Sequence, residues 1–362
     1  MSTPVKTDPQ RGEASTTDLE SQLHQAQLHP SAVRGMAAAA LVVVLLLHTV
    51  SDLGFGLAVL LSWLLFVVSV YAASRRVEGG RKASDRLASV LVTSSFAVAL
   101  LPLTTLLWII VSKGAPAING TFLNSSMRNV VGEGGGIYHA VFGTLIVTGV
   151  AALMSIPIGL LTSIYLVEYG SGKLARNITL LVDVMTGIPS IVAGLFAYAL
   201  FAIFFGEGIR MGLGGAVALS VLMIPLVVRS CEEMLKLVPV ELREASYALG
   251  VSKWRTVVKV VLPTALAGIV TGVTIAIARV IGETAPLLII CGYTDSVNLN
   301  PLSGRMMTLP VYIYSQFKNP GIPPEVSIER AWGAALVLTV IIMVLNLVAR
   351  AISYYFSPKT KA

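Results

Sequence analysis

The feature that most constrains this chain is a succession of long, unbroken apolar runs, at about 34–51, 54–74, 87–111, 138–167, 178–205, 213–230, 264–290 and 331–354. Each is close to the roughly 20 residues that carry a helix across a bilayer, and none shows the alternation of a barrel strand. Charged residues make up only 12% of the chain against 55% hydrophobic, about half the charge density of a soluble domain. The mean hydropathy is +0.80. The expectation is an all-α integral membrane protein of eight spans.

A net charge of +7 would suggest nucleic acid in a soluble protein. Here the basic residues sit between spans, which is how a membrane protein sets its orientation, so no nucleic-acid role is expected. Arg75, Arg76, Arg81, Lys82 and Arg86 fill the 74–86 link. Lys173 and Arg176, then Lys236, Arg243, Lys253, Arg255 and Lys259, fall in the next even-numbered links. The odd links are poorer: 206–212 has Arg210, and 291–330 has Arg305, Lys318 and Arg330 offset by acids. Both termini are therefore expected in the cytoplasm, in the inner or plasma membrane of a prokaryote.

Residues 1–33 are polar, with Pro4, Pro9 and Pro30, and read as a disordered cytoplasmic tail carrying His24 and His29. A short cytoplasmic tail is expected at 358–362. Residues 34–81 form a proline-free hairpin, read as a peripheral accessory, and 82–357 form the working domain. Cys231 and Cys291 should lie a membrane apart, which makes a disulfide improbable.

The later spans carry Pro102, Pro157, Pro189, Pro225 and Pro286. Each removes a backbone hydrogen bond, so Pro157, Pro189, Pro225 and Pro286 are expected to kink their helices. Beside Pro286 stand Arg279 and Glu283, expected one turn apart on one helix face. A charge at the bilayer centre costs about 2.5–3.5 kcal/mol, so this pair is read as part of a substrate path. Arginine suits oxyanions because its planar fork donates paired hydrogen bonds. Glu283 would hold Arg279 between passages. Arg229 fits either a pathway role or simple topology. Thr186 and Ser190 either donate to a passing anion or bond back to the helix near Pro189. Catalytic and metal-binding residues are not expected.

Between two apolar runs lies a polar element: Glu244-Ala245-Ser246, three residues, Gly250, nine residues, Val260, one residue, Leu262-Pro263. Two short helices are expected, Glu241 to Leu249 capped by a left-handed Gly250, then one beginning after Ser252 and carrying Trp254. Leu242, Ala245 and Leu249 make an apolar strip suited to a partner's groove. Glu241 and Glu244 complete the expected docking face. Gly170-Ser171-Gly172-Lys173 lacks the rest of a phosphate-loop pattern, so nucleotide energy must come from another polypeptide.

This spacing resembles the EAA loop of ABC importer permeases, with Ser246 for Ala and Val260 for Ile. From about 138 onward the chain resembles the A-type permease subunit of phosphate-specific ABC importers. The matching stretches are 164–170 (IYLVEYG), 189–196 (PSIVAGLF), 234–239 (MLKLVP), 242–250 (LREASYALG) and 277–288 (IARVIGETAPLL). The resemblance implies a six-helix type I permease core, to which 34–81 adds an extra transmembrane hairpin, with 241–263 as the coupling loop. It implies a C-type sister permease as heterodimer partner, an ATPase dimer that binds ATP and Mg, and an extracytoplasmic phosphate-binding protein. It also carries the family's membrane arginine and glutamate onto Arg279 and Glu283. No cofactor is expected in this chain, and it is not expected to be an enzyme. Another oxyanion such as sulfate or molybdate, a transporter working without nucleotide, and a phosphate-sensing scaffold are the rival readings.

Overall fold

The computed structural model describes residues 30–50 and 54–356. Of the tail expected at 1–33, residues 1–29 lie outside them, as do His24 and His29 and the tail expected at 358–362, whereas residues 30–33 open the first helix rather than a tail. Among the described residues the structure is helical, without strands. The described residues divide into two compact units, one up to residue 106 and one from residue 107 onward.

The first unit contains α1 (Pro30–Val50) and α2 (Phe55–Val77), packed against each other as the expected hairpin, and most of α3 (Gly80–Gly114). Glu78, just past α2, accepts from Ser74 Oγ at 2.6 Å and Arg86 Nη2 at 2.5 Å. The basic 74–86 link is thereby tied into a defined turn.

The second unit is built on α8 (Gly212–Lys236). Of its most apolar stretch 61% is buried, against 6% for the C-terminal α14 (Pro324–Phe356), so α8 is the axis of the unit. Small residues explain this position: Gly212, Gly214, Gly215, Ala216, Ala218 and Ser220 let neighbours approach its backbone. Around it pack α5 (Tyr138–Ile164), α7 (Ser190–Phe205) and α11 (Leu262–Val280), with α14 on the far side of α11. α5 continues through a π-helical turn at Tyr165–Tyr169. The short α4 (Gly120–Asn124) precedes α5, with Asn119 Oδ1 capping it by accepting from the Phe122 amide at 2.8 Å.

Seven described helices are long and apolar enough to cross a membrane. The expected span 178–205 is instead two helices, α6 (Gly172–Thr186) and α7, meeting at 107°. Pro189 has no N–H to offer the Met185 carbonyl and disfavours a helical Ile188. The carbonyls of Val184 and Met185 accept instead from Gly187 and Ile188, tightening the last turn of α6. The span expected over 264–290 also breaks, into α11 and α12 (Ala285–Ile290). Pro157 and Pro225 lie inside α5 and α8, as expected. Pro189 and Pro286 instead sit at helix starts, where a missing N–H costs little.

The 291–330 link is not a free loop. It contains α13 (Leu309–Lys318), and residues 306–312 are buried against α5. The Leu309 amide donates to Thr144 Oγ1 at 2.7 Å, and Gly143 leaves room for the Met307 carbonyl. A Cβ at Gly143 would occupy the place of that oxygen, so Gly143→Val must displace the segment. Overpacking of this kind costs about 1–3 kcal/mol. The variant should purify at lower yield and melt several degrees lower in detergent; an unchanged melting temperature contradicts the close approach. Cys231 and Cys291 are both buried and free.

Candidate functional site

Two helix breaks, at 187–189 and 281–284, bound one cavity of about 180 Å³. Thr186 reaches it from the end of α6 and Ser190 from the first turn of α7. Leu222 and Pro225 form the wall on α8, while Arg279 sits just before the second break and Glu283 within it. Residues nearly a hundred positions apart in sequence thus share one pocket.

Arg279 and Glu283 are not on one helix face. α11 ends at Val280, and residues 281–284 form a turn closed by Glu283 N–H to the Val280 carbonyl at 3.1 Å. Pro286 cannot donate to the Gly282 carbonyl, so the helix yields one turn before it. The two side chains form no ion pair with each other. Arg279 is exposed on this subunit and Glu283 half-buried, so both remain available to something in the cavity. Thr186 Oγ1 bonds back to the Val182 carbonyl at 2.9 Å, leaving its oxygen only as an acceptor. Ser190, half-buried, makes no such bond, so its hydroxyl is available to donate.

Arg229 lies outside the cavity. Its guanidinium pairs with Asp183 on α6 and donates to Glu232 at 2.8 Å, and Glu232 in turn accepts from Lys236 at 2.7 Å. This cluster ties the amphipathic α6 to the end of α8.

The polar element folds as α9 (Val240–Ala248) and α10 (Lys253–Thr256), the latter running through a π-helical turn at Val257–Val261 into α11. Its boundaries match the expected pair within one residue. Gly250 has φ +75°, the left-handed conformation that ends α9 cleanly and is costly for a side chain. Ser252 occupies the position before α10, yet its side chain makes no capping bond; its carbonyl accepts from the Thr256 amide at 3.0 Å. The two helices are joined by Ser246 Oγ and Thr256 Oγ1 at 2.8 Å, both buried.

Outward, the element presents Glu241, Leu242, Glu244, Ala245, Leu249 and Trp254, with Leu249 83% and Trp254 58% exposed. Inward it is anchored by Arg243. That guanidinium donates to Glu168 Oε1 at 3.0 Å, to the Val238 carbonyl at 2.6 Å and to the Leu235 carbonyl at 2.9 Å. Glu168 lies in the π-helical end of α5 with its side chain only 4% exposed. One arginine therefore binds α9 to the ends of both α5 and α8. Lys253 Nζ adds a cation–π contact 4.9 Å above the Tyr169 ring.

The Glu168–Arg243 clamp and the Arg229–Asp183 pair are absent from the sequence reading. A signal existed: Glu168 is an acid at the end of an apolar run, and buried acids are almost always paired. Its partner, 75 residues away, was not legible without the fold.

Residues 155–362 match the family model of the binding-protein-dependent transport system inner membrane component. The "Phosphate transport system permease protein PstA 1" of Mycobacterium tuberculosis is 46% identical over 277 residues, covering 76% of this chain and 90% of that protein. The "Phosphate transport system permease protein PstA" of Pasteurella multocida is 37% identical, covering 78% and 97%. Among solved structures, a chain of a bacterial alginate ABC transporter superposes with a TM-score of 0.54 at 13% identity, covering 75% of this chain and 94% of that one. A chain of the MetNI methionine ABC transporter gives 0.50 at 21% identity, covering 61% and 96%. These two establish a shared fold.

Proposed function

The chain belongs to the family of binding-protein-dependent transport system inner membrane components, among its phosphate transport permeases, and we infer from this that it is the transmembrane permease subunit of an ATP-driven importer of inorganic phosphate. The observation that carries the site is the cavity between two broken helices, where Arg279 and Ser190 converge. Broken helices at membrane depth are tolerated where they are buried in protein or line a cavity, and in transporters they commonly hold the substrate. Arg279 supplies a planar fork of donors to phosphate oxygens, and Ser190 supplies a hydroxyl beside the positive end of α7. Glu283 limits how tightly the anion is held, so that it can leave.

Energy comes from a separate ATPase dimer docked on the exposed face of α9 and α10 at the cytoplasmic side. Leu242, Ala245, Leu249 and Trp254 fill its groove. Closure of that dimer pushes the 241–263 element, and the Arg243 clamp passes the push to α5 and α8. A C-type sister permease completes the path, and an extracytoplasmic phosphate-binding protein delivers the anion to the opposite face. In this orientation both termini are cytoplasmic. The chain itself makes and breaks no covalent bond.

The test is uptake of radiolabelled phosphate, with sulfate as competitor, by cells that depend on this subunit. Phosphate uptake should proceed, survive a hundredfold excess of sulfate, and stop when the partner ATPase is inactivated. Uptake inhibited by sulfate, or continuing without ATP hydrolysis, would overturn the reading.

A further inference from the structure

We propose that Arg210 and Arg305 form a second, outer binding site for a phosphate group, at the opposite end of α12 from the Arg279 cavity. The proposal deepens the reading that this chain carries phosphate inward.

The two arginines come from different outer links and converge over Gly292. A Cβ on Gly292 would lie 2.7 Å from Arg210 Cδ, 3.5 Å from Arg210 Nη1 and 3.4 Å from Arg305 Cδ. Gly292 has φ +72°, so glycine is favoured there both by backbone conformation and by the arginine stem lying across it. Both side chains are exposed, and neither guanidinium donates a hydrogen bond or joins an ion pair among the described residues. Neither of the acids closest in sequence, Asp295, which accepts from Tyr293 Oη at 2.6 Å, and Glu207, forms an ion pair with them.

Two ordinary explanations fail on the geometry. Arginines near a helix C-terminus often cap its free carbonyls. Here the Leu287 carbonyl accepts from Cys291 and Gly292, the Ile290 carbonyl from Met211, and the Cys291 carbonyl from Met306. Those carbonyls are taken by backbone amides. Nor are the arginines on loose loops. The Met211–Ile290 bond pins the backbone beside Arg210, and Asn298 Nδ2 holds the Arg305 carbonyl at 2.9 Å and the Ser303 carbonyl at 2.7 Å. Pinned backbone brings the two arginine stems to one glycine with no ion pair on either, an arrangement that an anion bound between them would stabilise.

The ligand class follows from the forks. One guanidinium satisfies a planar carboxylate, whereas two present paired N–H donors to different edges of a tetrahedral oxyanion. α12 and its flanking turns connect this pair to Glu283 over nine residues, or about 13 Å at a helical rise. Phosphate released at the outer face would meet Arg210 and Arg305 first, and the Arg279 cavity next.

The test uses the assembled transporter in nanodiscs of zwitterionic lipid, without the binding protein, and carrying Arg279→Ala to silence the inner cavity. Binding of radiolabelled inorganic phosphate is measured at equilibrium and low salt, in this parent and after adding Arg210→Gln with Arg305→Gln. Gly292→Ala, whose methyl group displaces the Arg210 stem, is the second variant. The parent should bind phosphate, and both variants should bind it about tenfold more weakly or worse. Absence of binding in the parent, or unchanged binding in the double variant, overturns the outer site. So does binding that appears only with anionic lipid, which assigns the arginines to headgroups. A double variant whose only defect is weaker capture of the binding protein also overturns it, in favour of an acidic protein face. Failure of the phosphate reading itself would show separately, as absence of phosphate uptake by the unmodified transporter.

Discussion

Arg279→Ala abolishes phosphate uptake, lowering it by about a hundredfold or more, while the subunit still reaches the membrane and co-purifies with its partners. The size follows from losing two charge-assisted hydrogen bonds to the anion, each contributing about 1.5–3 kcal/mol. Assembly survives because Arg279 is exposed on this subunit and forms no ion pair with a neighbour, so its removal strands no buried charge. Arg279→Lys should fall between the two, because an ammonium keeps the charge but not the planar fork. The measurement is initial uptake per assembled complex across a range of phosphate concentrations. Uptake within twofold of the parent in Arg279→Ala would remove this residue from the path. Exchanging Arg279 and Glu283 is a further discriminator. Since Arg279 lies on α11 and Glu283 in the break that follows it, the exchange moves the fork to a different place on the cavity and should not restore transport.

The second large effect is expected at a residue that touches neither substrate nor partner. Arg243→Ala removes one guanidinium that serves the Glu168 carboxylate and the carbonyls of Leu235 and Val238. Breaking a buried pair from one side costs about 3–5 kcal/mol, because the other charge is left without compensation. Lower protein abundance is therefore the first consequence. The second is functional: complexes that do assemble should hydrolyse ATP with little uptake, since α9 no longer pulls on α5 and α8 together. Arg243→Met combined with Glu168→Leu separates the two effects. With both charges gone the burial cost disappears and abundance should recover, while uptake per ATP hydrolysed stays low. Full uptake per ATP in the double variant would mean that the clamp only stabilises the fold and transmits nothing.

Much of the polar element was legible because local rules govern it. A short amphipathic helix, a glycine at its left-handed end and a second helix start are spaced within about fifteen residues, and each is fixed by backbone chemistry at its own position. The clamp beneath it was not legible, because pairing Glu168 with Arg243 requires α5 and α9 to meet. The cavity stands between these cases. Arg279, Glu283, Thr186 and Ser190 were recognisable as polar groups in apolar runs, and they do share one pocket. Their arrangement differed: proline at 189 and 286 ended helices rather than kinking them, so the expected single-face pair became two walls. Arg229 was equally visible as a charge, yet it is absorbed by Asp183 and Glu232 and lies outside the cavity.

The sequence by itself determined that the chain is a helical membrane protein, where most of its helices run, and that 241–263 is a separate polar handle. Those properties depend on hydrophobic run length, proline and glycine, which act within a turn or two of helix. Only the tertiary structure decided which charges meet. The cavity, the Glu168–Arg243 clamp and the Arg210 and Arg305 stems over Gly292 each join residues from helices or links far apart in the chain. Such encounters are set by which helices and links pack against one another, and no local pattern encodes them.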